Sequence, residues 1–202
     1  DEESTEAFRV RVLRAAAGVP FGGNAADYIK YVSAIDGVGG AKVFPAYAGG
    51  GTVKIVVQAK NYGVPSSSLI NSIKNTLDPT NKTGLGFGIA PIGHSVAVEG
   101  VNSYTVTIKT SVTYATGWNQ STASSLISSA VSKYVSALAA KWASVDNCII
   151  HIADIDSAIL STGCVTKVTG TTIYDNTSGS YVSSSITLDS KTVPVFGSVT
   201  FV

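Results

Sequence analysis

Tyr104, Val106, Ile108, Val112 and Tyr114 alternate with Ser103, Thr105, Thr107, Lys109 and Thr113. That period of two predicts a strand with one buried face and one wet face. The period then changes. Ile127, Val131, Tyr134, Leu138 and Trp142 recur three and four residues apart, which predicts the longest helix of the chain, starting within 117–121. Upstream, a helix is predicted over 4–17 with Phe8, Val12 and Leu13 on one side, broken by Gly18, Pro20, Gly22 and Gly23. Asn24 caps a second helix that carries Asp27 in its first turn and Tyr28, Val32 and Ile35 at helical spacing. Asp36-Gly37 ends it, with Gly37 placed for a left-handed residue.

A hairpin follows. One strand covers 41–47, Gly49-Gly50-Gly51 turns, and Val53, Ile55 and Val57 then alternate with Thr52, Lys54 and Gln58. Pro65 and Ser66 open a helix lined by Leu69, Ile70, Ile73 and Leu77, which Asp78-Pro79 stops. A Gly-rich loop over 80–90 leads to a strand with Ile92, Val96 and Val98 on one face. After the long helix come a short strand over 148–152 and a helix over 154–160 with Asp154 as its N-cap and Gly163 at its end. Strands near 165–173, 181–188 and 193–202 finish the chain, the last with Val193, Val195, Val199 and Phe201 on one face. One unit occurs twice: a short helix, a turn at Gly37-Val38 or Gly163-Cys164-Val165, then a strand, a polar turn and another strand. The expected fold class is α+β, in two small modules of antiparallel strands with helices packed on one face, divided as 1–99 and 100–202.

Composition narrows the function. Of 202 residues 13% are charged, against roughly 25% in an average domain, and the net charge is +1 with the basic residues scattered. No block of Lys or Arg is present to neutralise a row of phosphates, so no nucleic-acid partner is expected. No apolar run approaches the roughly 18 residues a membrane span needs, so no membrane insertion is expected. The apolar share, 45%, argues against disorder. A weakly charged, Ser/Thr-rich surface suits extracellular display or burial against neighbours in an assembly. The chain starts at Asp1 with a mixed run of charges, and it is expected to be a portion of a longer protein.

Candidate chemistry is sparse. His94 falls in phase with Ile92, Val96 and Val98, and His151 sits in the 148–152 strand; both are read as hydrogen-bonded or rim histidines. Asp154 and Asp156 are two apart and diverge on a helix, so they make no paired-carboxylate site. Cys148 and Cys164 lie in apolar stretches and read as free core thiols, with one disulfide as the alternative. Gly84-Leu85-Gly86-Phe87-Gly88 fits neither a dinucleotide fingerprint nor a phosphate loop and reads as a flexible loop. Asn81, Asn119 and Asn176 begin glycosylation triplets of the kind that Ser/Thr-rich chains contain by chance. Trp142 is in phase with the helix stripe, whereas Trp118 lies in a turn and is the one feature that favours a carbohydrate site. No catalytic residue, metal ligand or cofactor is expected.

An ordered set of short motifs resembles the baseplate J-like family. Gly22-Gly23-Asn24-Ala25-Ala26-Asp27-Tyr28 is similar to its helix start. Ile35-Asp36-Gly37-Val38, Ala41-Lys42-Val43-Phe44-Pro45 and Gly50-Gly51-Thr52-Val53 are similar to the turn and two strands after it. The stretches 4–14 and 65–79 resemble its helices, and Val96-Ala97-Val98 the start of its C-terminal domain. Ile155 to Leu160 with Gly163-Cys164-Val165 resembles its second turn, except that Cys164 stands between a glycine and a valine that are usually adjacent. Val193-Pro194-Val195-Phe196-Gly197 resembles its closing strand. The resemblance implies a structural part of a contractile-tail baseplate wedge in phages and prophages, assembled in the bacterial host cytoplasm. It also implies other wedge and tail proteins, or further copies, as partners, and brings no catalytic residues. A secreted adhesin or surface-layer module and a carbohydrate-binding module are the alternatives.

Overall fold

The computed structural model describes residues 5–6, 8–9 and 22–202. Thr5, Glu6, Phe8 and Arg9 are helical; the rest of the helix predicted over 4–17 lies outside the described residues. The fold is α+β, and strand pairing is mixed within each larger sheet.

Helix α1 (Ala25–Ser33) starts where Asn24 accepts the Asp27 N–H through its side chain, while Asp27 in turn accepts the Gly22 N–H. It buries Tyr28 and Val32. The helix stops at Ala34, sooner than predicted, and Gly37 at φ +90° belongs to the turn into β1 (Val38–Pro45). Strand β1 pairs antiparallel with β2 (Thr52–Ala59), Val43 opposite Ile55. The connection runs through helix α2 (Ser67–Leu77), capped by the Ser66 hydroxyl, to β3 (Ser95–Gly100), which lies parallel to β2. Tyr28, Val32, Ile55, Ile73, Leu77 and Val96 meet in one core.

The second half opens with β4 (Asn102–Tyr114), which has Tyr104, Val106, Ile108 and Thr110 buried in strict alternation. Helix α3 (Gln120–Ala140) follows, its first turn closed by a capping box between Asn119 and Thr122. Trp142 is fully buried in the single 3-10 turn after it. Strand β5 (Ile149–Ile150) leads to helix α4 (Ile152–Leu160), β6 (Val165–Asp175), β7 (Ser180–Val182), β8 (Ile186–Thr187) and β9 (Thr192–Phe201). The main sheet has the order β7-β6-β4-β9, with β4 and β9 parallel and the other neighbours antiparallel. Val106, Ile108, Ile127, Val131, Ile155 and Ile173 are central to its core.

Further details differ from the sequence reading. His151, not Asp154, occupies the N-cap position of α4; Asp154 is in the first turn. Ile92 precedes β3 and is 82% exposed. In β9 the register against β4 shifts between Phe196 and Ser198, so the side-chain phase slips at Gly197: Val199 and Phe201 pack on the core with Phe196 and no longer share a face with Val193 and Val195, of which Val193 is buried and Val195 exposed. The repeated unit is present: α1 packs on β1 and α4 on β6, and each pair is joined through a left-handed glycine, Gly37 or Gly163.

Candidate docking surfaces and polar clusters

The titratable residues singled out from the sequence are scattered. His94 Nδ1 is 2.9 Å from the Tyr28 hydroxyl, and the two rings stack with centroids 6.2 Å apart. Burial, then the negative charge of Asp78, pushes the Tyr28 hydroxyl up to about 12. His151 is exposed and pairs with the Ser185 hydroxyl at 3.1 Å. Asp154 accepts from Tyr134, and Asp156 accepts from Thr171, whose hydroxyl also meets Thr110 in the core. The two carboxylates thus serve different neighbours. Cys148 and Cys164 are buried free thiols. Burial raises the Cys148 thiol above its ordinary range, opposed by the charge of Lys42. Trp118 is 40% exposed. Among the described residues no three of His, Cys, Asp and Glu gather as a metal would require, and no helix is long and apolar enough to cross a membrane.

Two polar clusters were not legible as such. The first centres on Asp78, read from the sequence only as a helix stop. Its carboxylate is buried and accepts from Lys74 Nζ at 2.8 Å, the Gly84 N–H at 2.9 Å and the Val96 N–H at 2.9 Å. Burial pushes this carboxyl up, but the Lys74 ammonium and the two N–H donors outweigh it and hold the group below the usual carboxylate range. One side chain therefore ties the end of α2, the start of β3 and the Gly-rich loop. Gly93 N–H donates to Gly84 O at 2.8 Å and closes that loop. The tethered loop displays Leu85, Phe87 and Ile92 to solvent, with Lys82 Nζ 3.8 Å from the Phe87 ring centre.

The second cluster joins the two halves. Gln58 is fully buried; its Nε2 donates to Tyr62 O and to Ala139 O, each at 2.9 Å, the latter a carbonyl of the last turn of α3. Lys42 Nζ donates to Asp146 O at 2.9 Å and Ser190 O at 3.2 Å and lies 4.7 Å from the Trp142 ring centre. Desolvation lowers the Lys42 ammonium below its ordinary range, opposed by negative charge from Cys148, Asp146 and Asp189. Trp142 Nε1 donates to the same Ser190 carbonyl at 3.1 Å. Gly40 permits this approach, because a Cβ there would stand 2.8 Å from the Ala143 methyl. The outer side of the joint is a groove of about 340 Å³ between Val43, Phe44 and Val145. These groups hold two halves together and present apolar surface.

Residues 20–100 match the family model described as the baseplate J-like central domain. These residues are similar to that domain; the match covers less than half of the chain. They comprise α1, the sheet β1-β2-β3, α2 and the Asp78-tethered loop. The chain is 41% identical over 99 residues to the uncharacterized protein YqbT of Bacillus subtilis (strain 168). It is 39% identical over 99 residues to the phage-like element PBSX protein XkdT of the same organism. Each match covers 49% of this chain and 28% of the relative, so it spans little more than a quarter of either relative. Over 96% of its length the chain shares the fold of 42% of a protein in the cryo-EM structure of the anti-feeding prophage baseplate, with a TM-score of 0.66 at 10% identity.

Proposed function

We propose that this chain is a structural portion of a phage- or prophage-type contractile-tail baseplate, holding neighbouring baseplate proteins through its surfaces and carrying out no chemistry of its own. The observation that carries the reading is the match of residues 20–100 to the baseplate J-like central domain. The name of the PBSX relative and the fold shared with an anti-feeding prophage baseplate protein support it. So does the surface: few charges, exposed apolar side chains on a tethered loop, and a groove of mixed polar and apolar lining at the joint, which suit shape-matched contact. Neither the family match nor the relatives favour an adhesin or a carbohydrate-binding module.

We further propose that the division falls between residues 99 and 100, at the last residue of β3, with the joint around Gln58, Lys42 and Trp142 fixing the second module on the first. Assembly in the host cytoplasm, with wedge and tail proteins as partners, completes the reading. Affinity purification of the full-length protein from particle-producing cells tests it. Sheath, tube and wedge proteins are expected with it. Particles that form normally without the protein, together with a pull-down free of tail proteins, would remove the proposal.

A further inference from the structure

The outer edge of β9 is ten residues long and carries no charged side chain from Thr192 to Phe201. Among the described residues no strand pairs with it. Such edges are usually blunted by charge, proline or a bulge, because their unpaired N–H and C=O groups template another strand. Here Pro194 and the bulge at Gly197 interrupt the first half only. Beyond the bulge the pairing is regular, from Ser198 opposite Thr107 to Phe201 opposite Thr110. The Val202 N–H donates to Thr110 O at 3.0 Å. By the two-residue alternation of a strand, the backbone groups of Ser198 and Thr200 also face β4, and those of Val199 and Phe201 face outward.

A groove adjoins the same edge. It measures about 190 Å³ and is lined by Tyr62, Val135, Ala139, Pro194, Val195 and Phe196. That is room for one large apolar side chain, and Val195 at its rim is 38% exposed. Outward backbone groups can be satisfied by an extended chain without a matching side-chain code, and the adjoining groove supplies the selectivity.

We propose that the β9 edge is a strand-addition site for an extended, uncharged segment of a neighbouring baseplate protein, anchored by one apolar side chain in the groove beside Val195. The inference rests on the baseplate reading above and adds the partner's chemistry. Hydrogen exchange of the full-length protein, free and within purified particles, tests it. The amides of Val199 and Phe201 are expected to exchange at least about 10-fold more slowly in particles than in the free protein. Val195→Lys, at an exposed position, is expected to fold with an unchanged melting temperature and to enter particles at least about 10-fold less, since a lysine on an edge opposes pairing. Val199→Pro removes an outward N–H and leaves the ladder to β4 its donors; because Val199 packs against the core it is expected to melt at a lower temperature, and when folded to enter particles less as well. Equal exchange rates in both states, or normal incorporation of a folded Val195→Lys, would overturn the inference. Absence of the wild-type protein from particles would instead overturn the baseplate reading.

Discussion

Asp78 shows how one residue organises a surface that its neighbours in sequence do not explain. The carboxylate is buried with one cation and two backbone donors around it, so the charged form is the favoured form in the fold. Its depressed pKa fixes the sign of the pH effect. The stabilisation is fully present above the ordinary aspartate pKa of about 4 and is lost as pH falls through the lower folded value. Asp78→Asn preserves the shape, leaves Lys74 without its partner and weakens the hydrogen bonds from Gly84 and Val96. It is expected to destabilise the protein by about 2–3 kcal/mol at pH 7, in the range for hydrogen bonds to charged groups. Denaturant titrations at pH 7 and in the acid range below pH 4 check this. The gap between wild type and variant should narrow on acidification, and a constant gap would show that ionisation contributes nothing. The sequence marked Asp78 as a helix stop because Pro79 follows it. The hint to its larger role was Lys74 one turn earlier, on the same face of α2, ahead of a loop that needs holding.

At the scale of elements, periodicity predicted well wherever one face of an element is wet. Strand β4 and helix α3 are of this kind and both formed, although α3 ends at Ala140, leaving Trp142 of the expected stripe in the 3-10 turn beyond it, and buries Val135 and Ala139 more completely than Tyr134 and Leu138. Strand β2 is the instructive failure. Alternation of Val53, Ile55 and Val57 described its first half, but Val56 and Gln58 are fully buried on the opposite face. The uninterrupted run Ile55-Val56-Val57 was the visible signal that both faces are covered. Strand β9 failed for another reason: a bulge adds a residue, and no side-chain period survives it. Among the caps, Asn24 formed as read, Asp154 lies inside the first turn of α4, and the cap of α3 was not singled out in the sequence. The Asn119 side chain accepts the Thr122 N–H and Thr122 answers with its hydroxyl, closing the first turn of α3. Asn119→Ala is expected to cost about 1 kcal/mol and to lower the melting temperature by roughly 2–4 °C. A thermal melt followed by circular dichroism measures it, and an unchanged midpoint would mean that packing alone sets the start of α3. The candidate surfaces were the least legible features. The joint and the β9 edge are made by residues 80 or more positions apart in several cases, such as Gln58 with Ala139 and Lys42 with Ser190, which no local pattern encodes.

On the scale of the whole molecule, the question is whether two sheets with two cores behave as one body. The cores are separate lists of side chains, yet Val56 on β2 belongs to the core of the second half, and the backs of β1 and β2 carry Lys42 and Gln58 into it. Trp142 is the largest side chain buried at that joint, with its N–H donated to Ser190 O and its ring beneath the Lys42 ammonium. Removing it leaves Lys42 partly desolvated without the aromatic face and opens a cavity between Gly40 and Ser190. Trp142→Ala is expected to cost about 3–5 kcal/mol, the range for a buried aromatic. The more telling readout is cooperativity. The wild type should melt in one calorimetric transition whose van't Hoff and calorimetric enthalpies agree. The core around Tyr28, Ile55 and Ile73 does not include Trp142, so the variant should retain that core while the second half weakens, and its trace should separate into two transitions. A single transition in Trp142→Ala, shifted down but with matching enthalpies, would show that coupling resides elsewhere, with the polar bonds of Gln58 and Lys42 as the remaining carriers. In the baseplate role proposed above, coupling matters because this joint is one route by which a load taken at the β9 edge reaches the Asp78-tethered loop.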